Sequence, residues 1–299
     1  MILLLTIGAG AAVAGIVGLV ARRWPQVEAP RLAGETIVEE VKRHPGLAGH
    51  FRHHFNPKTE TGIALTIAVT LVVGAAVGIG ILLAMIRTHY GLASWDLRLA
   101  RFGAAHETTA STDVLRALSQ IGGTNGVVLV AVVVCVVEYV RRPARSLPLF
   151  LALVVGGQFA MSNGIKFLVE RARPDLNRLT GYAGASFPSG HSTAAAATLA
   201  AVALVMTRGR SRQTKAGAAA VAAGLAAIVA ATRVFLGVHW FTDVIAGLLL
   251  GWGWFALCSI AFGGRLLSFG LPVDAAEKVA VIDDLAPSTI DRSSHVDLA

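Results

Sequence analysis

Charged residues are scarce in this sequence. Asp, Glu, Lys and Arg make up 15% of its 299 residues, whereas soluble domains carry about 25%. Hydrophobic residues make up 55%, and the mean hydropathy is +0.65. The shortage of charge excludes an ordinary soluble enzyme and indicates a protein that crosses a membrane several times.

Cysteine is nearly absent as well. Cys135 and Cys258 both lie in apolar runs, and we interpret them as buried thiols. Neither a disulfide framework nor a thiolate metal site is therefore predicted. The net charge of +8 is spread over the loops between apolar runs, which indicates charges that orient a membrane protein and not a nucleic-acid surface.

Seven segments are long and apolar enough to form membrane-crossing helices, which need about 20 residues. They predict an all-α fold, a polytopic transmembrane helix bundle. The first segment has no basic residue before its apolar core and is followed by Arg22 and Arg23, so we expect an anchor with its N-terminus outside. A cleaved signal peptide is the alternative. The segments are Ile2–Val20, Ile63–Ile86, Ile121–Val140, Leu147–Ile165, His191–Thr207, Ala216–Val234 and Asp243–Phe262.

The loops on the two sides of the membrane differ in basic residues. Loops 21–62, 141–146 and 208–215 hold fourteen Lys and Arg, and the opposite side holds nine. Because cytoplasmic loops carry the excess of basic residues, the first side is predicted to be cytoplasmic. The polar segment 264–299 is then a flexible cytoplasmic tail. Loop 87–120, with Trp95 among charges, is expected to form interfacial helices on the outer face.

Three polar clusters stand at span ends on this predicted outer face, where charges are costly and indicate function. In the first, Lys166–Pro174, the lysine and Arg173 are seven residues apart. That spacing predicts that both side chains lie on one helix face, before the helix stops at Pro174. A basic helix end that reaches the lipid headgroups is the alternative.

The second cluster, Phe187–His191, reads FPSGH. Its Pro-Ser-Gly turn comes directly before a helix, whose first N–H groups and positive dipole end attract anions. Ser189 adds a hydroxyl donor, and Gly190 lets the backbone approach a ligand closely. A helix cap with an incidental His191 explains the same residues equally well.

The third cluster, Thr232–Asp243, contains Arg233, His239 and Asp243. If one helix runs through the last two, their i, i+4 spacing places them on one face. The carboxylate then orients the imidazole and leaves one ring nitrogen free as a nucleophile. The alternative is a structural His–Asp bond at a helix start.

The three clusters together predict a phosphate site. Three cations and one helix N-terminus neutralise phosphoryl oxygens, and two histidines and an aspartate supply a nucleophile and an acid. The two arginines also have a planar fork that matches phosphate. The clusters are far apart in the sequence, so this prediction requires them to meet in space.

The pattern K-x6-RP, then PSGH, then R-x5-H-x3-D resembles that of the phosphatidic acid phosphatase type 2 / haloperoxidase superfamily. The resemblance covers about residues 60–263 and implies a six-helix membrane phosphatase core over 63–263. The resemblance says nothing about residues 1–62, which the apolar run and the basic residues predict to be an additional membrane anchor with a cytoplasmic basic loop, and 264–299 are the predicted tail. One departure is Thr232, where the family usually has Ser, and the hydroxyl is retained.

The resemblance also implies a role for each residue. His239 attacks phosphorus and forms a phosphohistidine, Asp243 supports it, and His191 protonates the leaving oxygen and then activates water. A metal-independent reaction with no cofactor is implied. The phosphate is held by Lys166, Arg173, Ser189, Gly190 and Arg233.

The expected function is hydrolysis of a membrane lipid phosphate or pyrophosphate at the extracytoplasmic face of the plasma membrane. Candidate substrates are a polyprenyl pyrophosphate, phosphatidylglycerol phosphate and phosphatidic acid, and no nucleic-acid partner is expected. A lipid phosphotransferase has the same site. A non-catalytic transporter or scramblase is less consistent with the sequence, because the charged residues gather at one face and the middle of each span is expected to be apolar.

Overall fold

The structure, a computed structural model, describes residues 1–23, 60–144, 146–176, 179–181 and 184–267. Within these ranges the chain forms nine α-helices, two short 3-10 turns and no β-strand, which confirms the predicted all-α bundle. The 3-10 turns are Gly91–Ala93 and Gln120–Gly122. The helices are α1 (Ile2–Arg23), α2 (Glu60–Thr88), α3 (Ser94–Ala105), α4 (Thr109–Ser119), α5 (Thr124–Arg141), α6 (Ser146–Val169), α7 (Gly190–Met206), α8 (Arg212–Phe235) and α9 (Phe241–Leu267).

Every predicted span is a helix, and six are long and apolar enough to cross a membrane: α1, α2, α5, α6, α8 and α9. Large apolar side chains on the outside of the bundle, such as Leu4, Leu129 and Leu149, are more than 60% exposed, as expected where lipid covers them. The remaining predicted span, His191–Thr207, corresponds to α7, which has only 17 residues. It is about 25 Å long, shorter than the ~30 Å hydrocarbon core.

The short helix α7 is the centre of the bundle and packs against α5, α6, α8 and α9. Its alanines 194–197 are at most 1% exposed, because small side chains let neighbouring helices approach closely. Helix α9 comes so near that a Cβ on Gly247 would lie 2.6 Å from the backbone oxygen of Ser189. This contact fixes the start of α9 against the start of α7.

Helix α1 packs along α8. A Cβ on Gly10 would lie 2.4 Å from Cγ1 of Ile228 and 2.9 Å from the backbone oxygen of Gly224. At its first turn, Ile2 is 1% exposed and packs with apolar residues around the end of α8. The additional N-terminal helix is therefore an integral part of the bundle.

We expect Gly10→Leu to destabilise the protein, because the new side chain forces two helix backbones apart. Overpacking of this kind costs about 1–3 kcal/mol. Gly8→Leu is the matched control, since nothing lies within 4 Å of a Cβ at that position. Thermal unfolding in detergent, followed by tryptophan fluorescence, measures both variants. Equal unfolding temperatures for the two would contradict the close α1–α8 packing.

The predicted loop 87–120 forms helices, as expected. Helix α3 carries Trp95, which is half exposed, and α4 begins with a capping box between Thr108 and Ser111. Helix α9 continues to Leu267, four residues beyond the predicted end of the core. Most of the predicted basic loop 21–62 and of the tail 264–299 lies outside the described residues.

Candidate active site

The three polar clusters meet at one end of the bundle. Helices α6 and α8 end there, and α7 and α9 begin there. The imidazole of His191, in the second cluster, is close enough to feel the charges of Lys166 and Arg173 from the first cluster and of Arg233 and His239 from the third. The predicted convergence of residues that are distant in the sequence is therefore observed.

His239 is the most enclosed histidine of the site, with 2% of its surface exposed. Its Nε2 lies 3.2 Å from an Nη1 of Arg173. Its Nδ1 lies 3.5 Å from Oδ2 of Asp243, which is fully buried. One ring nitrogen therefore faces a carboxylate, and the other faces a cation.

His239 and Asp243 do not share one helix, so the condition for the i, i+4 geometry is not met. Helix α8 ends at Phe235 and α9 begins at Phe241, so the histidine lies in the connecting turn. Gly237 in this turn has a φ of 70°, a left-handed backbone conformation that favours glycine. The carboxylate in the first turn of α9 and the imidazole in the loop still meet, because the turn folds back onto the helix start.

The predicted shared helix face of Lys166 and Arg173 is wrong. Helix α6 ends at Val169, and Glu170 leaves the helical region with a φ of 48°. Arg173 instead reaches the site from an irregular segment. Its guanidinium donates to the backbone oxygens of Gly184, Ala185 and Val238. These bonds fix the arginine beside the imidazole.

The start of α7 is a capped helix N-terminus. The Ser189 hydroxyl accepts a hydrogen bond from the backbone N–H of Ser192. Ser189 is therefore a helix cap, as the alternative explanation of this cluster predicted. A Cβ on Gly190 would lie 3.8 Å from Nζ of Lys166. The lysine amine and the free N–H groups of the helix therefore border the same space.

Arg233 lies at the end of α8 and is 4% exposed. Its Nη1 lies 3.3 Å from the hydroxyl oxygen of Ser119 at the end of α4. Its Nε has no acceptor within the described part of the chain. One side of this guanidinium is therefore fixed by protein, while another donor remains for a ligand.

Burial lowers the pKa of the His239 imidazole to about 4, although the neighbouring Asp243 acts in the opposite direction. Arg173 and Arg233 lower this pKa further. Because the pKa lies below the ordinary value of about 6.5, the imidazole is neutral at pH 7. Its free nitrogen then carries a lone pair that can attack an electrophile.

Sequence reasoning missed the residues that hold Asp243. Its Oδ2 accepts from the Ser186 hydroxyl and from the backbone N–H of Trp240, at 2.9 Å for the latter. Its Oδ1 accepts from Arg171 at 2.5 Å. Arg171 was visible in the sequence as a charge within the first polar cluster, but nothing in the sequence indicated which residues it would contact.

Polar side chains also lie deeper in the bundle than predicted. Gln158 and Ser162, two turns and one turn before Lys166 on α6, are at most 2% exposed, as is Thr198 on α7. Their side-chain amide and hydroxyl groups have no hydrogen-bond partner among the described residues. The expectation that the middle of each span is apolar is therefore wrong for α6 and α7.

The residues that the structure describes contain no group of three His, Cys, Asp or Glu side chains arranged to hold a metal ion. The site instead concentrates cations and N–H donors around two imidazoles. Such a set has the chemistry to hold an oxyanion such as phosphate, and an imidazole nitrogen has the chemistry to attack its central atom. Independence from metal stays a prediction.

Comparison with known proteins agrees with this chemistry. Residues 145–266 match the family model of the PAP2 superfamily, which confirms the resemblance seen in the motifs. Phosphatidylglycerophosphatase B of Bacillus subtilis is 35% identical over 105 residues, which are 34% of this chain and 52% of that protein. Lipid A 1-phosphatase of Rhizobium etli is 40% identical over 119 residues, which are 36% of this chain and 46% of that protein.

A solved structure is similar as well. It is a transmembrane PAP2 type phosphatidylglycerolphosphate phosphatase from Bacillus subtilis, with a TM-score of 0.60 and 27% sequence identity. The similarity covers 66% of this chain and 97% of that one. The matched sequence spans about half the length of the curated relatives.

Proposed function

We propose that this membrane protein is a lipid phosphatase that acts through a phosphohistidine on His239, and the match of residues 145–266 to the PAP2 family model supports the proposal. The observation that carries the proposal is the setting of this imidazole. One ring nitrogen faces the buried carboxylate of Asp243, and the other faces Arg173 at 3.2 Å. A phosphate bound by the arginine is thereby presented to a neutral nitrogen.

In the first step, Nε2 of His239 attacks phosphorus and the bond from phosphorus to the lipid oxygen breaks. His191 gives its proton to that leaving oxygen. Asp243 stabilises the positive charge that develops on the attacked imidazole, as the carboxylate of a triad does. The lipid leaves as an alcohol, or as a monophosphate if the substrate is a pyrophosphate.

In the second step, His191, now neutral, takes a proton from water, and the water oxygen attacks the phosphohistidine. The bond between phosphorus and Nε2 breaks, inorganic phosphate leaves, and both histidines return to their first state. The phosphoryl oxygens are held throughout by Lys166, Arg173 and Arg233, together with Ser189 and the N–H groups at Gly190 and beyond. These groups stabilise the transition state more than the bound substrate.

The site is proposed to open to the extracytoplasmic face, which the lower count of Lys and Arg in the adjoining loops supports. The C-terminus then lies in the cytoplasm. Substrates on that face include a polyprenyl pyrophosphate such as undecaprenyl pyrophosphate, phosphatidylglycerol phosphate and phosphatidic acid. The relatives named for phosphatidylglycerophosphate and lipid A support a phosphorylated membrane lipid as substrate.

We expect a bell-shaped dependence of kcat on pH. His239 has to be neutral, and because its pKa is about 4, its protonation causes the acid limb below pH 5. His191 has to be protonated in the enzyme–substrate complex, where the negative charge of the bound phosphate favours the imidazolium, and loss of that proton causes the alkaline limb. The equation fitted to the pH profile also includes ionisation of the substrate phosphate near pH 6. A profile that is flat from pH 5 to 9 would argue against these two roles.

Phosphate release by the detergent-purified protein tests the function. The panel contains polyprenyl pyrophosphate, phosphatidylglycerol phosphate, phosphatidic acid and lipid A, each with a chelator present. Release from at least one lipid without added metal is expected. Activity that requires a divalent metal would contradict the mechanism. Transfer to an added lipid or sugar acceptor without release to water would instead identify a phosphotransferase.

A further inference from the structure

Arg171 joins two carboxylates from distant parts of the chain. Its Nη1 donates to Oδ1 of Asp243 at 2.5 Å, and its Nη2 donates to Oδ2 of Asp96 at 2.7 Å. Asp96 lies on α3, 75 residues earlier in the sequence. The guanidinium therefore connects α3 to the carboxylate that faces His239.

The group is enclosed by protein. Asp96 is 5% exposed and Asp243 is 0% exposed, and the Arg171 side chain is 16% exposed. Charges in such a setting are costly unless they are paired and hydrogen-bonded. One positive and two negative charges leave a net charge of −1, equal to that of a single carboxylate. Asp96 thus offsets the charge of Arg171, and the guanidinium can hold Asp243 without cancelling its negative charge.

Asp96 also holds the start of helix α9. Its Oδ1 accepts from the backbone N–H of Thr242 at 2.8 Å, and its Oδ2 accepts from the Thr242 hydroxyl at 2.8 Å. A carboxylate that accepts from the first N–H groups of a helix is a helix cap. This cap comes from another helix, and the residue it holds directly precedes Asp243.

The two oxygens of Asp243 have separate partners. Oδ1 is held by Arg171, and Oδ2 is the oxygen nearest Nδ1 of His239, at 3.5 Å. The bonds to Oδ1 and to the start of α9 restrict the direction of Oδ2, the oxygen that faces the imidazole. Neither Arg171 nor Asp96 belongs to the predicted phosphate cage, which consists of Lys166, Arg173, Ser189, Gly190 and Arg233.

We propose that Arg171 and Asp96 are positioning residues for the nucleophile, and that they act by orienting Asp243 against His239. The inference rests on the proposed function. It extends the site to helix α3, which lies outside the residues 145–266 that match the family model. Removal of either residue then slows attack on phosphorus and leaves lipid binding unchanged, because neither touches the phosphate.

Asp96→Asn and Arg171→Gln test the proposal, with kcat and KM measured on the lipid that releases most phosphate. We expect a 10- to 100-fold fall in kcat with KM within about threefold of wild type. Because the two residues act through one contact, the double variant is expected to lose little more than the worse single variant. Arg171→Lys retains the charge without the fork, so partial recovery relative to Arg171→Gln is expected.

Glu138→Gln is the matched control. Glu138 is a buried carboxylate 3.2 Å from a buried Arg208, at the opposite end of the bundle. This change is expected to lower the unfolding temperature as Asp96→Asn does and to leave kcat unchanged. The inference is overturned if Asp96→Asn lowers only the unfolding temperature, or if its KM rises while kcat is unchanged. Wild type that releases no phosphate from any lipid refutes the proposed function, and this inference falls with it.

Discussion

His239→Ala is expected to reduce kcat by at least about 10⁴-fold. The change removes the proposed nucleophile, while the cations proposed to bind phosphate remain. Uncatalysed phosphate-monoester hydrolysis is among the slowest known reactions, so binding of the substrate without attack gives little turnover. Release of phosphate from the lipid substrate measures the loss, and substantial residual turnover would mean that another group attacks phosphorus.

His106→Ala is the matched control for this variant. His106 is an exposed histidine at the end of α3, where its ring stacks on Phe102. Its loss removes an imidazole of the same size from a position outside the phosphate cage. Activity close to that of wild type is expected, and comparable unfolding temperatures for the two variants show that both are folded.

Asp243→Asn is expected to lower kcat by about 10⁴-fold, the loss seen when the carboxylate of a catalytic triad becomes an amide. The change removes the charge that supports the imidazole. It also leaves donors without acceptors, because the carboxylate accepts from Ser186, Arg171 and the Trp240 N–H. An asparagine amide has one acceptor oxygen for these donors, and its NH₂ group, itself a donor, would face the donors that remain.

For Asp243→Asn, both kcat and the unfolding temperature are measured. Glu138→Gln is the control, because loss of this buried carboxylate is expected to lower stability and leave kcat unchanged. A fall in both quantities is expected for Asp243→Asn. A kcat within tenfold of wild type would show that the imidazole does not depend on this carboxylate.

The helices were the most predictable part of the fold. Apolar runs of about 20 residues leave few alternatives in a membrane, where backbone groups must bond within the segment. All seven predicted runs are helical. The length of α7 was less predictable, since an alanine-rich helix enclosed by protein and one exposed to lipid have the same composition. Its surroundings are a tertiary property.

The composition of the site was also predictable. Charges at span ends are few, and a phosphate site needs cations, a helix N-terminus and imidazoles together. The occurrence of all of these at span ends on one predicted face therefore indicated the site, although no single cluster did. The backbone that presents them was not. The i, i+7 spacing of Lys166 and Arg173 fits a helix, but Glu170 leaves the helix and tertiary hydrogen bonds fix Arg173.

The hydrogen bonds that hold Asp243 and the start of α9 could not be predicted at all. Asp96 is one carboxylate in a loop that is rich in charges, and its partners Arg171 and Thr242 lie 75 and 146 residues further along the chain. No periodicity links positions that are so far apart. Their pairing depends on how α3 lies across the end of the bundle.

The most direct test of the account is to trap the phosphorylated enzyme. Wild-type protein is mixed with radiolabelled lipid phosphate and a chelator, quenched within milliseconds and digested to peptides. We predict a label that is stable to base and labile to acid, on the peptide that contains His239, and absent from His239→Ala. A base-labile label on the Asp243 side chain, or turnover without any labelled enzyme, would contradict the phosphohistidine mechanism.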